Sequence, residues 1–167
     1  MIIRKSEREI ELMAAALHNA RRGEQLEKGR PSPLWDELDE PGKEAARSQA
    51  RDIPVKLRMV NCVIAPLSDW DAAAFTFTNE EVEALAIEEH DRWCRERLAD
   101  GWALTKVPDD PEKARQLMEQ AERRKETPYL VPWAQLPPEI AEFDRLSVRA
   151  IPAVLASAGL QVMRHPS

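Results

Sequence analysis

The stretch that decides the fold occurs twice in the chain. Residues 35–64 read WDELDEPGKEAARSQARDIPVKLRMVNCVI, and residues 133–162 read WAQLPPEIAEFDRLSVRAIPAVLASAGLQV. At a constant offset of 98 they agree at eight of thirty positions, where composition alone would give about two. In the first stretch the shared residues are Trp35, Leu38, Glu44, Arg47, Arg51, Ile53, Pro54 and Leu57. Self-similarity of this kind indicates an internal repeat.

A second block, at an offset of 72, predicts a helix ahead of each stretch. Ser6 with Glu9, and Thr78 with Glu81, have the spacing of a capping box, in which the hydroxyl and the carboxylate each accept a backbone N–H at the helix start. Three further residues recur, namely Glu11, Ala14 and His18 as Glu83, Ala86 and His90. Because the two offsets differ by 26, the second copy carries a 26-residue insertion, in which we predict a short helix over 110–124.

Prolines and apolar runs complete each copy. A second helix is expected to start near Pro41 or Pro138, and an internal proline, Pro54 or Pro152, should kink or break it. Each copy then ends in an apolar run that favours a brief strand, Val60 to Ile64 and Leu160 to Met163. We therefore predict a mainly α fold with at most short strands. Its repeats span 1–64 and 78–165, joined by a linker over 65–77, and pack about a pseudo-twofold axis as one compact unit.

Composition excludes several classes of protein. The 167 residues carry a net charge of −6, which is the wrong sign for a general DNA or RNA binder. Cys62 and Cys94 lack metal-type spacing and indicate a reducing compartment. There is no apolar run of membrane-spanning length, and the charged N-terminus does not resemble a secretory signal, so we expect a cytoplasmic location.

The second copy resembles the ryanodine receptor (RyR) domain, a helical repeat found in tandem in those receptors and also in bacterial and phage proteins. The residues that carry the resemblance are Glu83-Ala84-Leu85-Ala86, His90-Asp91-Arg92-Trp93, Asp100-Gly101-Trp102, Tyr129-Leu130-Val131-Pro132-Trp133, Leu136-Pro137, Glu142-Phe143-Asp144-Arg145 and Ala158-Gly159. They cover nearly all of 79–163 in order. The first copy looks like a shorter bacterial form, without an equivalent of the Gly-Trp pair.

The resemblance implies a ligand. In the receptors the tandem pair is associated with adenine nucleotides, whose base stacks on the Gly-Trp tryptophans of both repeats, and prokaryotic relatives look like nucleotide sensors. Here Trp102 carries that motif, and a second chain in a homodimer would have to supply a second tryptophan. The leading hypothesis is a non-enzymatic sensor of an adenine-containing nucleotide, bound in the cleft between the repeats. The alternative is a protein interaction or scaffolding module whose exposed tryptophans dock a partner.

The candidate ligand-binding residues have structural alternatives. His18 and His90 either bond a backbone carbonyl at the edge of the core or contact the ligand. Arg47 and Arg145 either pair with Glu44 and Glu142 on their own helix or bind phosphate. Trp102 either packs or stacks on a base. Arg22 and Asp144 complete the predicted site.

Catalysis and metal binding have little support in the sequence. His90 and Cys94 lie four residues apart on one helix, but two ligands do not make a zinc site. We find no hydrolase elbow, no His-Glu-x-x-His motif and no nucleophile signature around Cys94. We therefore predict no catalytic residue, no metal and no cofactor.

Overall fold

A computed structural model describes residues 2–166 and confirms a mainly α protein with short strands. The helices are α1 (Ile2–Glu27), α2 (Glu40–Arg51), α3 (Ile53–Met59), α4 (Asn79–Ala99), α5 (Pro111–Ala121), α6 (Pro138–Arg149) and α7 (Ile151–Ser157). The strands are β1 (Cys62–Pro66), β2 (Ala103–Leu104), β3 (Glu126–Thr127) and β4 (Leu160–Arg164). Among the residues described, none of these helices is both long enough and apolar enough to cross a membrane.

The helices and strands come in the same order in both copies. Helices α1, α2 and α3 lead into strand β1, and helices α4, α6 and α7 lead into strand β4, with β2, α5 and β3 inserted after α4. The predicted proline breaks are confirmed, since α2 stops at Arg51 and α6 at Arg149, and a new helix begins with Pro54 or Pro152 in its first turn. Proline has no N–H to continue the preceding helix but is tolerated in a first turn.

The two predicted helix starts have different outcomes. At the start of α4 the capping box is confirmed: the Glu81 N–H donates to Thr78 Oγ1 (3.1 Å), and the Thr78 N–H donates to Glu81 Oε1 (2.8 Å). In the first copy the prediction is wrong, because α1 begins at Ile2 and Ser6 lies within the helix. The preceding residues include no proline or glycine that would stop the helix before Ser6.

The chain divides into two compact units whose boundaries do not follow the predicted repeats. Residues up to Leu85 form unit 1 together with those from Arg145 onward, and residues from Ala86 to Asp144 form unit 2. Each boundary lies inside a helix, α4 or α6, rather than in the predicted linker. The reason is tertiary: β1 pairs antiparallel with β4, which draws the end of the second copy into the unit that holds the first.

Unit 1 contains the larger core. Helix α1 packs against α2 and α7, and the fully buried side chains include Ile53, Leu57, Leu85, Ile151 and Leu155. The predicted linker is structured, since its first residues belong to β1 and a 3-10 turn over Ala72–Ala74 packs against α7 and β4.

Unit 2 is built around the second part of α4. Its buried apolar residues are Ala86, Ala121, Leu136 and Ala141. The insertion forms the predicted helix, α5, capped by Asp110, whose carboxylate accepts the Lys113 N–H at 3.1 Å. Strands β2 and β3 pair in parallel, which brings Ala103 opposite Glu126 and closes the insertion onto the end of α4.

Candidate functional site

His18 and His90 make the same contact in their own copies. His18 Nε2 lies 2.8 Å from the carbonyl oxygen of Pro33, and His90 Nε2 lies 2.6 Å from that of Val131. A carbonyl only accepts, so in each ring Nε2 carries the proton and donates. Both rings are buried, at 9% and 3% exposure. The geometry therefore corresponds to the structural alternative, in which each histidine holds the loop that leads to the next tryptophan.

Arg47 and Arg145 also make equivalent contacts, each with a carboxylate on the first helix of its own copy. Arg47 donates from Nε and Nη2 to both carboxylate oxygens of Glu11, at 2.8 and 3.1 Å. Arg145 donates in the same way to Glu83, at 2.9 and 3.1 Å. The predicted ion pair of Arg47 with Glu44 is also present, at a longer distance of 3.6 Å from Arg47 Nη1 to a Glu44 oxygen. The fork of the guanidinium matches a carboxylate across two helices better than one on its own helix.

The remaining candidate of unit 1, Arg22, holds a loop. Its Nε donates to the carbonyl oxygen of Ser32 at 3.2 Å, next to Pro33, which His18 bonds. Among the described residues, every buried side-chain nitrogen and oxygen has a hydrogen-bond partner. The repeated polar residues are thus engaged within the protein. The pKa of the Glu11 carboxyl is lowered, chiefly by the hydrogen bonds from Arg47.

Three side chains of unit 2 have the composition of a nucleophile triad. Cys94 Sγ lies 3.4 Å from His90 Nε2, and Asp144 Oδ2 lies 4.0 Å from His90 Nδ1. A base at Nε2 must be unprotonated to accept the thiol proton, whereas here Nε2 donates to Val131. Burial raises the pKa of the Cys94 thiol, and the charges of Asp91 and Asp144 raise it further. The arrangement disfavours a thiolate nucleophile. In residues 2–166 there is also no group of three side chains placed to hold a metal ion.

Trp102 follows a glycine that ends α4. Gly101 has φ +86°, in the left-handed region that glycine adopts without strain. The Gly101 N–H donates to the carbonyl oxygen of Leu98 (3.1 Å) and the Trp102 N–H to that of Arg97 (2.9 Å), which is the Schellman motif. The Gly-Trp pair therefore ends helix α4: Gly101 is the left-handed residue, and the backbone of Trp102, the next residue, is held by its hydrogen bond to Arg97.

The first copy has the same helix end, which the sequence analysis missed. Gly29 has φ +71°, its N–H donates to Leu26 at 3.0 Å, and the Arg30 N–H donates to Gln25 at 2.9 Å. The offset of 72 links Gly29-Arg30 to Gly101-Trp102. The expectation that the first copy lacks an equivalent of the pair is corrected: the glycine is present, and arginine replaces the tryptophan. The insertion therefore lies after the glycine.

One cation lies against the Trp102 ring, and a second binds the nearby Asp100. The guanidinium carbon of Arg97 is 4.7 Å from the centre of the Trp102 ring and 5.4 Å from that of Trp93, within cation–π range of both. The Lys125 ammonium donates to the carbonyl oxygen of Asp100 at 3.0 Å, and the Trp102 indole N–H donates to the Asp100 carboxylate at 3.3 Å. The position of Arg97 near Trp102 could have been predicted from its spacing on α4. The position of Lys125 could not, because it depends on the pairing of β2 with β3.

A further tryptophan lies outside every predicted site. Trp70 is 97% exposed, the largest exposed fraction among the large apolar side chains described. It follows β1 in the segment predicted as a linker and lines a shallow cavity of about 300 Å³. No motif marks it, and the only signal in the sequence is an aromatic residue between two aspartates, Asp69 and Asp71.

Comparison with known proteins adds no relative. No protein-family model matches the chain, and no curated protein matches it significantly. The resemblance to the RyR domain therefore remains a prediction from the sequence motifs.

Proposed function

We propose that this chain is a non-enzymatic binding module for an adenine-containing nucleotide or nucleotide-derived signal, and that Trp102 is the surface on which the base stacks. The observation that carries the proposal is the half-buried Trp102 indole, which follows the hydrogen-bonded end of α4 and has Arg97 against its ring, while the Lys125 ammonium binds Asp100. An aromatic platform beside cations is the arrangement that nucleotide binding needs.

Each part of this arrangement has a chemical role in the proposal. The indole offers a π-face to any base, and the Asp100 carboxylate can accept a hydrogen bond from an amino group such as that of adenine. Arg97 and Lys125 supply positive charge for phosphates, and the arginine fork suits a phosphate geometrically. The resemblance to the RyR domain supports adenine as the base.

The proposal assigns the other predicted site residues a supporting role. His18, His90 and Arg22 hold loops, and Arg47 and Arg145 join helices, so ligand contact is not their first function. The absence of a catalytic residue remains a prediction, and a product assay on the bound nucleotide tests it.

Isothermal titration of the whole chain with ATP, ADP-ribose and cyclic nucleotides tests the proposal. We expect saturable binding to at least one, weakened about tenfold or more by Trp102→Ala, since a base stack contributes ~1–3 kcal/mol. Trp70→Ala is the matched control, because it removes an indole in unit 1 and should leave the affinity unchanged. If folded protein releases no heat with any of these nucleotides, the proposal is wrong.

The alternative, a protein interaction module, is favoured by a different observation, the 97% exposure of Trp70. Tryptophan is enriched among the residues that dominate the binding energy of protein interfaces. If Trp102→Ala abolished dimerisation or binding of a partner but left nucleotide affinity unchanged, the interaction function would be supported at Trp102 instead.

A further inference from the structure

Trp70 is presented by an anchored loop rather than by a loose one. Gln161 on β4 is 2% exposed, and its Oε1 accepts the backbone N–H groups of Ser68 (2.7 Å) and Asp69 (3.0 Å). Its Nε2 donates to Asp69 Oδ2 at 3.0 Å, so one buried amide holds the residues that precede Trp70. On the other side, the Ala72 N–H donates to the Asp69 carbonyl at 3.2 Å, which closes a turn around Trp70.

An indole carried by a preorganised loop is suited to binding. Because the backbone is already held, association does not have to order the loop, and only the two side-chain torsions of the tryptophan remain to be fixed. Beside the ring, the cavity is lined by apolar or small residues of the loop and α7, namely Leu67, Ser68, Ala72, Ala73 and Ala156. Its one charged lining residue is acidic, Asp69, and the exposed Asp71 follows Trp70.

Charge selects the class of partner. The π-face of an indole attracts a cation, and two neighbouring carboxylates strengthen that preference while repelling phosphates. A second copy of this chain brings its own net charge of −6, which disfavours self-association at an acidic surface. The shallow shape argues against a small organic cation, because small-molecule sites enclose most of the ligand. A side chain of a large partner needs no such enclosure, since the partner covers the rest.

We propose that Trp70 and the cavity beside it dock an arginine side chain from a basic segment of a partner protein. The planar guanidinium stacks on the indole, as arginine does more readily than lysine, and it donates hydrogen bonds to the aspartates. This inference goes beyond nucleotide binding and concerns a different unit of the chain, so its failure leaves the Trp102 proposal unaffected.

Nuclear magnetic resonance of the whole chain tests the docking site directly. The indole N–H signal of Trp70 is assigned by its loss in Trp70→Ala, and the protein is titrated with the peptide Gly-Ser-Arg-Gly-Ser-Arg-Gly-Ser. We expect this signal to shift in a saturable way, and the same peptide with glutamine in place of arginine to leave it unmoved. Equal shifts with both peptides, or none with the arginine peptide, would overturn the proposal.

Matched variants separate the contributions. With a fluorescein-labelled arginine peptide, Trp70→Ala should reduce affinity about tenfold, and Asp71→Asn, which leaves the Gln161 contact untouched, should reduce it several-fold and weaken its salt dependence. Trp102→Ala should leave it unchanged. Circular dichroism should give wild-type melting temperatures for Trp70→Ala and Asp71→Asn, since Trp70 and Asp71 are exposed. If sedimentation instead showed a wild-type dimer that Trp70→Ala dissociates, the surface would belong to self-association and the proposal would be wrong.

Discussion

Helices α1 and α4 end with the same backbone and different side chains. Gly29 and Gly101 both adopt the left-handed conformation and the same pair of hydrogen bonds, but arginine follows the first and tryptophan the second. The backbone arrangement serves to stop a helix, and it does so in either copy. The difference teaches that the scaffold and the candidate site are separable: the site depends on one replaced side chain and on the insertion after it.

The largest expected effect tests whether the scaffold is shared. His18→Ala and His90→Ala should each lower the free energy of unfolding by about 1–3 kcal/mol, because each leaves a carbonyl without its donor. The effect of His90→Ala should be at least as large, since His90 is more buried. Urea unfolding at pH 7 measures both. A negligible cost for one histidine alone would show that the two copies do not use this contact equally.

The two helix ends themselves provide the next test. Gly29→Ala and Gly101→Ala should each cost about 1–2 kcal/mol, because an L side chain is strained in the left-handed region and space around the glycine does not relieve that strain. Gly23→Ala is the control: it lies inside α1 with open space around it, so alanine should be neutral or slightly stabilising. Thermal melts compare the three variants. Similar melting temperatures for all of them would contradict the assignment of the two glycines.

The smallest effect concerns the helix starts, where the copies differ. Glu81 binds both the Thr78 N–H and the Arg164 guanidinium, and the Arg164 hydrogen bonds lower the pKa of its carboxyl to about 2, from 4.5 when unperturbed. The pKa of Glu81 is lower in the folded than in the unfolded state. The stabilisation that its carboxylate gives the folded protein is therefore complete above pH 4.5 and is lost as the pH falls through about 2. Glu81→Gln should therefore cost up to about 1 kcal/mol at pH 7 and only a small part of that near pH 2.

Glu9, which aligns with Glu81 at the offset of 72, supplies the control for this pH dependence. Glu9 lies within α1, not at a capped start, so Glu9→Gln should change the unfolding free energy little at either pH. Denaturant titrations at pH 7, 4 and 2.5 measure both variants. A cost for Glu81→Gln that persists unchanged at pH 2.5 would show that the ion pair does not account for the stabilisation.

Much of the local structure could be predicted from the sequence. The proline breaks, the α4 capping box and helix α5 depend on signals within a few residues. Pro54, for example, ends the preceding helix through its own ring and missing N–H, whatever its tertiary surroundings. The start of α1 was missed because no residue before Ser6 stops a helix. The shared glycine is not found by a search for a second Gly-Trp pair, because arginine follows Gly29. The offset of 72 nevertheless aligns Gly29 with Gly101.

The sequence by itself determined the helical class, the order of the elements and the recurrence of His18, Arg47 and their counterparts, because hydrophobic spacing and backbone chemistry act locally. Only the tertiary structure decided what those residues contact. Arg47 binds Glu11 in addition to Glu44 on its own helix, and Lys125 binds Asp100, because helix packing and the β2–β3 pairing join residues distant in sequence. The division into units also depends on contacts between distant residues, since β1 pairs with β4 only when the two ends of the sequence come together in the fold.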